Sequence, residues 1–186
     1  GGVFSNSAGF IGHAQGWTGE VTVTGPGSRW NNSNYLHVGS SRSGTLSVGA
    51  GAVVSNTLGY IGHNSGSTGE VTVTGINSQW NNSNTVYIGY RGDGTLNVEA
   101  GGVVSNTDGY IGRDSGSTSE ATVTGSGSQW TNSNSLYVGG DSSQAGGSGT
   151  LNLNDSGLVT VSSTTTLWST GIINLDGGNL TTGSFD

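Results

Sequence analysis

The sequence predicts an all-β chain wound as a right-handed parallel β-helix, with three strands to a coil and about seven coils of 23–27 residues paired into 50-residue repeats. Three observations carry this reading. Trp30, Trp80 and Trp130 lie fifty residues apart, as do Glu20, Glu70 and Glu120, and the segment EVTVTG at 20–25 and 70–75 returns as EATVTG at 120–125. Inside the fifty, aliphatic-plus-glycine pairs recur at Ile11-Gly12, Val38-Gly39, Ile61-Gly62, Ile88-Gly89, Ile111-Gly112 and Val138-Gly139, with spacings that alternate 27, 23, 27, 23, 27. Each half-unit holds three short β-type runs, such as Val86–Ile88, Thr95–Val98 and Val103–Asn106, divided by Gly, Asn, Asp and Ser clusters that read as turns. A propeller blade of about 40–50 residues would match the coarse period but needs four antiparallel strands, so the finer register decides against it.

Composition narrows the class and the partners. The 186 residues include 37 Gly, one Pro, no Cys and no Met, and four Lys plus Arg stand against eleven Asp plus Glu for a net charge of −7. Such a field repels phosphate, so neither nucleic acid nor an acidic membrane surface is an expected partner. Without Cys there are no disulfides, thiolate nucleophiles or Cys-ligated metals. No run reaches the roughly 20 apolar residues of a spanning helix, so membrane insertion by this segment is not expected, and no stretch reads as a signal peptide. β-Branched and aromatic residues recur at fixed positions, which separates the chain from a disordered Gly/Ser-rich one.

Aligning the coils turns sequence columns into rows along a rod of about 34 Å, taking seven coils at the roughly 4.8 Å strand spacing. In the first strand of each coil the inward row is Ile11, Val38, Ile61, Ile88, Ile111, Val138; in the second it is Val23, Val48, Val73, Val98, Val123, Leu153. The third-strand row is Phe4, Trp30, Val54, Trp80, Val104, Trp130, so large and small side chains alternate. Two residues before each first-strand Ile or Val, Gly9, Gly59 and Gly109 alternate with Leu36, Val86 and Leu136. Coils that carry Trp carry this Gly, and the indoles of Trp30, Trp80 and Trp130 are expected in the core, filling the volume that the missing side chain releases. Asn6, Asn32, Asn56, Asn82, Asn106 and Asn132 form a further row, read as a structural ladder of amides bonding from coil to coil at a bend in the backbone. The sequence SSQAGGSG after Gly139 lengthens one link, marking a surface loop over 140–149, and the register breaks from Thr164 into an irregular final coil over 164–186. The single β-helix segment over 1–186 is expected to be part of a longer rod.

One outward row is the candidate binding surface: Phe10, His37, Tyr60, Tyr87, Tyr110 and Tyr137, each just before a first-strand Ile or Val. Rings one strand apart make a strip able to face sugar rings or another protein, or to stack on one another. Glu20, Glu70 and Glu120 alternate with Thr45, Thr95 and Thr150; at about 9.6 Å they approach the upper end of the roughly 6.5–9.5 Å carboxylate separation of inverting glycosidases. They recur with every unit and have no distinctive partner, so no catalytic residue is assigned and no enzyme activity is expected. His13 and His63 recur likewise, with Arg113 in the third place, and neither metal nor cofactor is expected. The pairs Thr22/Thr24, Thr72/Thr74 and Thr122/Thr124 suggest an ice-binding face, but Ser47/Gly49 and Asn97/Glu99 interrupt the rows.

The pattern GSRWNNSNYLHVG at 27–39, NSQWNNSNTVYIG at 77–89 and GSQWTNSNSLYVG at 127–139 resembles the β-strand repeats of bacterial autotransporter (type V secretion) passengers and related repetitive surface adhesins. The resemblance spans Gly1 to Phe185. It implies an exported passenger at the extracellular face of a bacterial cell, a structural stalk or adhesin acting in adhesion, aggregation or display, with glycans or other copies of the same chain as partners. Membrane-barrel, export and protease or lipase motifs of such proteins do not occur in these residues. Phage tail fibres share such coils, and a carbohydrate-binding rod using the aromatic row is the alternative reading; a polysaccharide-degrading enzyme would need clustered acids or Arg in a groove.

Overall fold

The computed structural model describes residues 1–13 and 16–186 and is all-β: a right-handed parallel solenoid of about seven turns. The first strands stack as Gly9–Ile11, Tyr35–Val38, Leu58–Ile61, Val86–Ile88, Gly109–Ile111 and Leu136–Val138. The second strands are Gly19–Thr24, Gly44–Gly49, Thr68–Thr74, Asp93–Glu99, Thr118–Thr124, Ser148–Asn154 and Gly171–Asp176. Third strands run Val3–Asn6, Arg29–Asn32, Val53–Asn56, Gln79–Asn82, Val103–Asn106 and Gln129–Asn132. Every neighbouring pair within a stack is parallel and in the register of the sequence columns: Ile61 pairs Val38 and Ile88, Val73 pairs Val48 and Val98, and Trp80 pairs Val54 and Val104.

The alternation within each run decides which side chains enter. In Asp93–Glu99 the burial pattern alternates residue by residue, with Leu96 and Val98 buried and Asn97 outside. The glycine after each first-strand aliphatic turns the chain: Gly12, Gly39, Gly62, Gly89, Gly112 and Gly139 have φ between 68° and 82°, a left-handed conformation that a Cβ disfavours. This is the physical origin of the aliphatic-plus-glycine signal.

Trp80 and Trp130 are completely buried and Trp30 nearly so. A Cβ on Gly59 would stand 2.7 Å from Cζ2 of Trp80; on Gly9 and Gly109 it would stand 2.8 Å and 3.0 Å from the same atom of Trp30 and Trp130. The indole therefore occupies the space beside the glycine of its own coil. Phe4, in the same row, is 62% exposed.

The asparagine row is linked in pairs and not as one continuous chain. Trp80 Nε1 donates to Asn56 Oδ1 at 2.8 Å and Asn56 Nδ2 donates to Asn82 Oδ1; Trp130, Asn106 and Asn132 repeat the arrangement at 2.6 Å and 2.6 Å. The pairing has a local cause. Asn106 Oδ1 is engaged by Trp130, and Asn82 Nδ2 turns to the Ser105 carbonyl at 3.4 Å. Asn6 accepts from Trp30 at 2.8 Å and donates to the Ala8 carbonyl, which leaves Asn32 Nδ2 and Oδ1 without partners.

The final coil departs from the pattern at Val161, earlier than the expected Thr164. Val161 pairs with Asn132 and so stands where the amide row would continue. The backbone there is one continuous strand, Leu158–Leu167, which pairs with a third strand at its start and a first strand at its end and so follows the corner of the turn below. That strand joins two of the three faces into a 14-stranded sheet, beside a 7-stranded sheet of second strands. Asn179–Phe185 pairs onto it with a register shift between Val161 and Thr164. The lengthened link lies between the strand ending at Val138 and the strand beginning at Ser148, so the last two residues of the expected 140–149 loop are already strand.

Candidate functional site

In-register pairing places Phe10 beside His37, His37 beside Tyr60, and then Tyr87, Tyr110 and Tyr137 in succession. The strand period fixes that they face away from the core, because each precedes an inward Ile or Val. Consecutive ring centroids are 5.1, 4.6, 5.0, 5.0 and 4.8 Å apart and the planes are tilted by only 13° to 28°. The rings thus lie against one another along the rod, and their faces are taken up by the neighbours above and below. What the four tyrosines leave to solvent is mainly edges and hydroxyls.

A second row stands alongside, made by the residues after the corner glycines: His13, Ser40, His63, Tyr90 and Arg113. Tyr90 stacks on His63 at 5.4 Å and meets Tyr60 and Tyr87 edge-on at 5.6 and 5.1 Å. The Arg113 guanidinium carbon lies 4.6 Å from the Tyr90 ring centre and 5.9 Å from that of Tyr87, and Arg91 lies 5.5 Å from Tyr90. Both arginines are tied to Asp114, at 3.2 Å from Arg91 and 2.5 Å from Arg113. Tyr35 closes the other flank, edge-on to Phe10 and His37. Tyr35, Tyr90 and Arg91 escaped the sequence reading because they do not recur with the period; the signal available was only their adjacency to the aromatic row and the corner glycines.

No family model, curated protein or solved structure matches the chain. The chemistry of the site must therefore be read from its own atoms. Burial raises the tyrosine hydroxyls of Tyr60, Tyr87 and Tyr110, the last to about 12, with neighbouring tyrosines adding to the shift at Tyr60 and Tyr110. These groups stay protonated across the physiological range and offer neutral O–H donors. His37 is pushed the other way, to about 4, first by burial and then by His63 and His13; burial also lowers His63, with Arg91 adding and the Asn64 side chain opposing.

Elsewhere on the rod, two glutamates of the second-strand face are tied into local polar contacts: Asn97 donates to Glu70 at 3.3 Å and Asn152 to Glu120 at 2.5 Å. Their register partners are threonines, Thr45, Thr95 and Thr150, so no two of these glutamates are paired directly. Among the described residues no group of three or more His, Asp or Glu is placed to hold a metal ion. A polar notch of about 380 Å³ lies between Arg113, Asp114 and the long link, where Asp141 is folded inward onto the Ser143 and Gln144 amides at 2.7 and 3.0 Å. Trp168 braces that link from the next turn, its Nε1 donating to the Asp141 carbonyl at 2.8 Å.

Proposed function

We propose that this chain is a length of structural stalk or adhesive passenger of a secreted bacterial surface protein, displayed outside the cell for adhesion, aggregation or display. The observation that supports this reading most is the register of like beside like: the apolar, amide and aromatic rows continue from turn to turn as far as Asn132 and Tyr137, which supplies length and stiffness. Mutual stacking of the aromatic row fits the same role, because its ring faces contribute to cohesion of the rod. The resemblance of the Trp-bearing segments to autotransporter passenger repeats adds the extracellular setting.

A carbohydrate-binding rod is less favoured, since sugars stack on ring faces and those faces are occupied here. The surface reading is tested by antibodies raised against the purified chain and applied to intact cells of its source. Labelling of unpermeabilised cells, lost after brief external proteolysis, is the expected result. Labelling that requires permeabilisation would overturn it.

A further inference from the structure

All three histidines of the chain fall in one cluster, one on each of three successive turns. His37 holds the place that tyrosine holds in the four later turns. Its ring lies between Phe10 at 5.1 Å and Tyr60 at 4.6 Å, with Tyr35 edge-on at 5.1 Å and His63 edge-on at 4.2 Å. It is only 7% exposed, and both its Nδ1 and that of His63 are buried without a hydrogen-bond partner. His13 Nδ1 reaches Ser40 Oγ at 3.3 Å on the turn between the two.

Among the described residues, none in the surroundings is a counter-ion for a proton placed there. From its own strand His37 faces Tyr35; from the turn below, Phe10 and His13; from the turn above, Tyr60 and His63; and beyond His63 stand Tyr90 and Arg91. The carboxylates of this edge are committed elsewhere: Asp114 to Arg91 and Arg113, Asp93 to the Thr118 amide, and Asp141 to its own loop. A second proton would make both ring nitrogens of His37 donors, and its buried Nδ1 has nothing to receive the bond, which is costly.

We infer that this cluster is an acid-release latch: protonation of His37 and His63 loosens the turns that carry them, while the turns from Tyr87 to Tyr137 stay closed. The low proton affinity of His37, about 4 against an ordinary 6.5, sets the window. Between those values the unfolded segment binds more protons than the folded one, so local stability is full above about pH 6.5 and is lost as pH falls toward 4.

Hydrogen exchange of the intact chain, read by mass spectrometry at pH 7.5 and pH 5 and corrected for intrinsic rates, tests this. Protection of Tyr35–Val38 and Leu58–Ile61 is expected to fall about tenfold or more, with Gly109–Ile111 and Leu136–Val138 unchanged. The His37→Tyr, His63→Tyr double variant, which installs the residues that the two rows carry one turn later as Tyr60 and Tyr90, should abolish the difference. Should that variant fail to fold, Tyr110→His is the converse test and should transfer acid sensitivity to Gly109–Ile111. Uniform loss along the rod, no loss at pH 5, or sensitivity unmoved by the folded variants would overturn the inference.

Discussion

Trp80→Ala is expected to destabilise the solenoid by about 3–5 kcal/mol, the range for removing a buried aromatic from a core. The indole is fully buried, so its loss opens a cavity beside Gly59, and Asn56 Oδ1 loses the donor that sits 2.8 Å away. Trp17 provides the control. It is 74% exposed, and Trp17→Ala should change stability by no more than about 0.5 kcal/mol. Urea unfolding followed by far-UV circular dichroism measures both, free of the fluorescence change that the substitutions themselves cause. A Trp80→Ala cost below about 1 kcal/mol would contradict the packing described.

Gly59→Val should be nearly as damaging, at about 3 kcal/mol, for the opposite reason. Its Cβ alone would come within 2.7 Å of Trp80 Cζ2 and 2.6 Å of Asn82 Oδ1, and an indole with no exposed surface has nowhere to move. The intervening coils show the remedy: where the first strand carries Val86, the third carries Val104, and where it carries Leu36, the third carries Val54. The double variant Gly59→Val, Trp80→Val copies the first of these pairs. It should therefore be more stable than the sum of the single changes allows, by about 2 kcal/mol in a double-mutant cycle. Additivity would mean that the glycine and the indole do not share one space.

The rows were legible in the sequence because a solenoid converts periodicity directly into contact. Once the 27/23 spacing was read from Ile11 to Val138, each inward column followed, and the pairings of Ile88, Val98 and Val104 match it residue by residue. The glycine–tryptophan exchange was legible for the same reason, since volume must balance within a coil. Orientation was not. Nothing in the order of Phe10, His37 and the four tyrosines states whether the rings lie flat outward or on one another; close spacing at about 5 Å favours mutual stacking. Hydrogen-bond direction was likewise invisible, so the amide row read as continuous although the indoles of Trp80 and Trp130 divide it into pairs. The final coil was legible as a break in register from Thr164, but not the end of the amide row at Val161, a single replacement that no period marks.

Stacking of successive turns in register is open to direct measurement, since the chain has no native cysteine to interfere. Spin labels at Thr22→Cys and Asn174→Cys lie on one row, linked through Ser47, Thr72, Asn97, Thr122 and Asn152. Six strand spacings separate them, so double electron–electron resonance should give a narrow distribution near about 29 Å, shortening to about 19 Å for the pair Ser47→Cys and Asn152→Cys. Two distances that do not scale with the number of turns, or a broad distribution for either pair, would contradict the parallel solenoid.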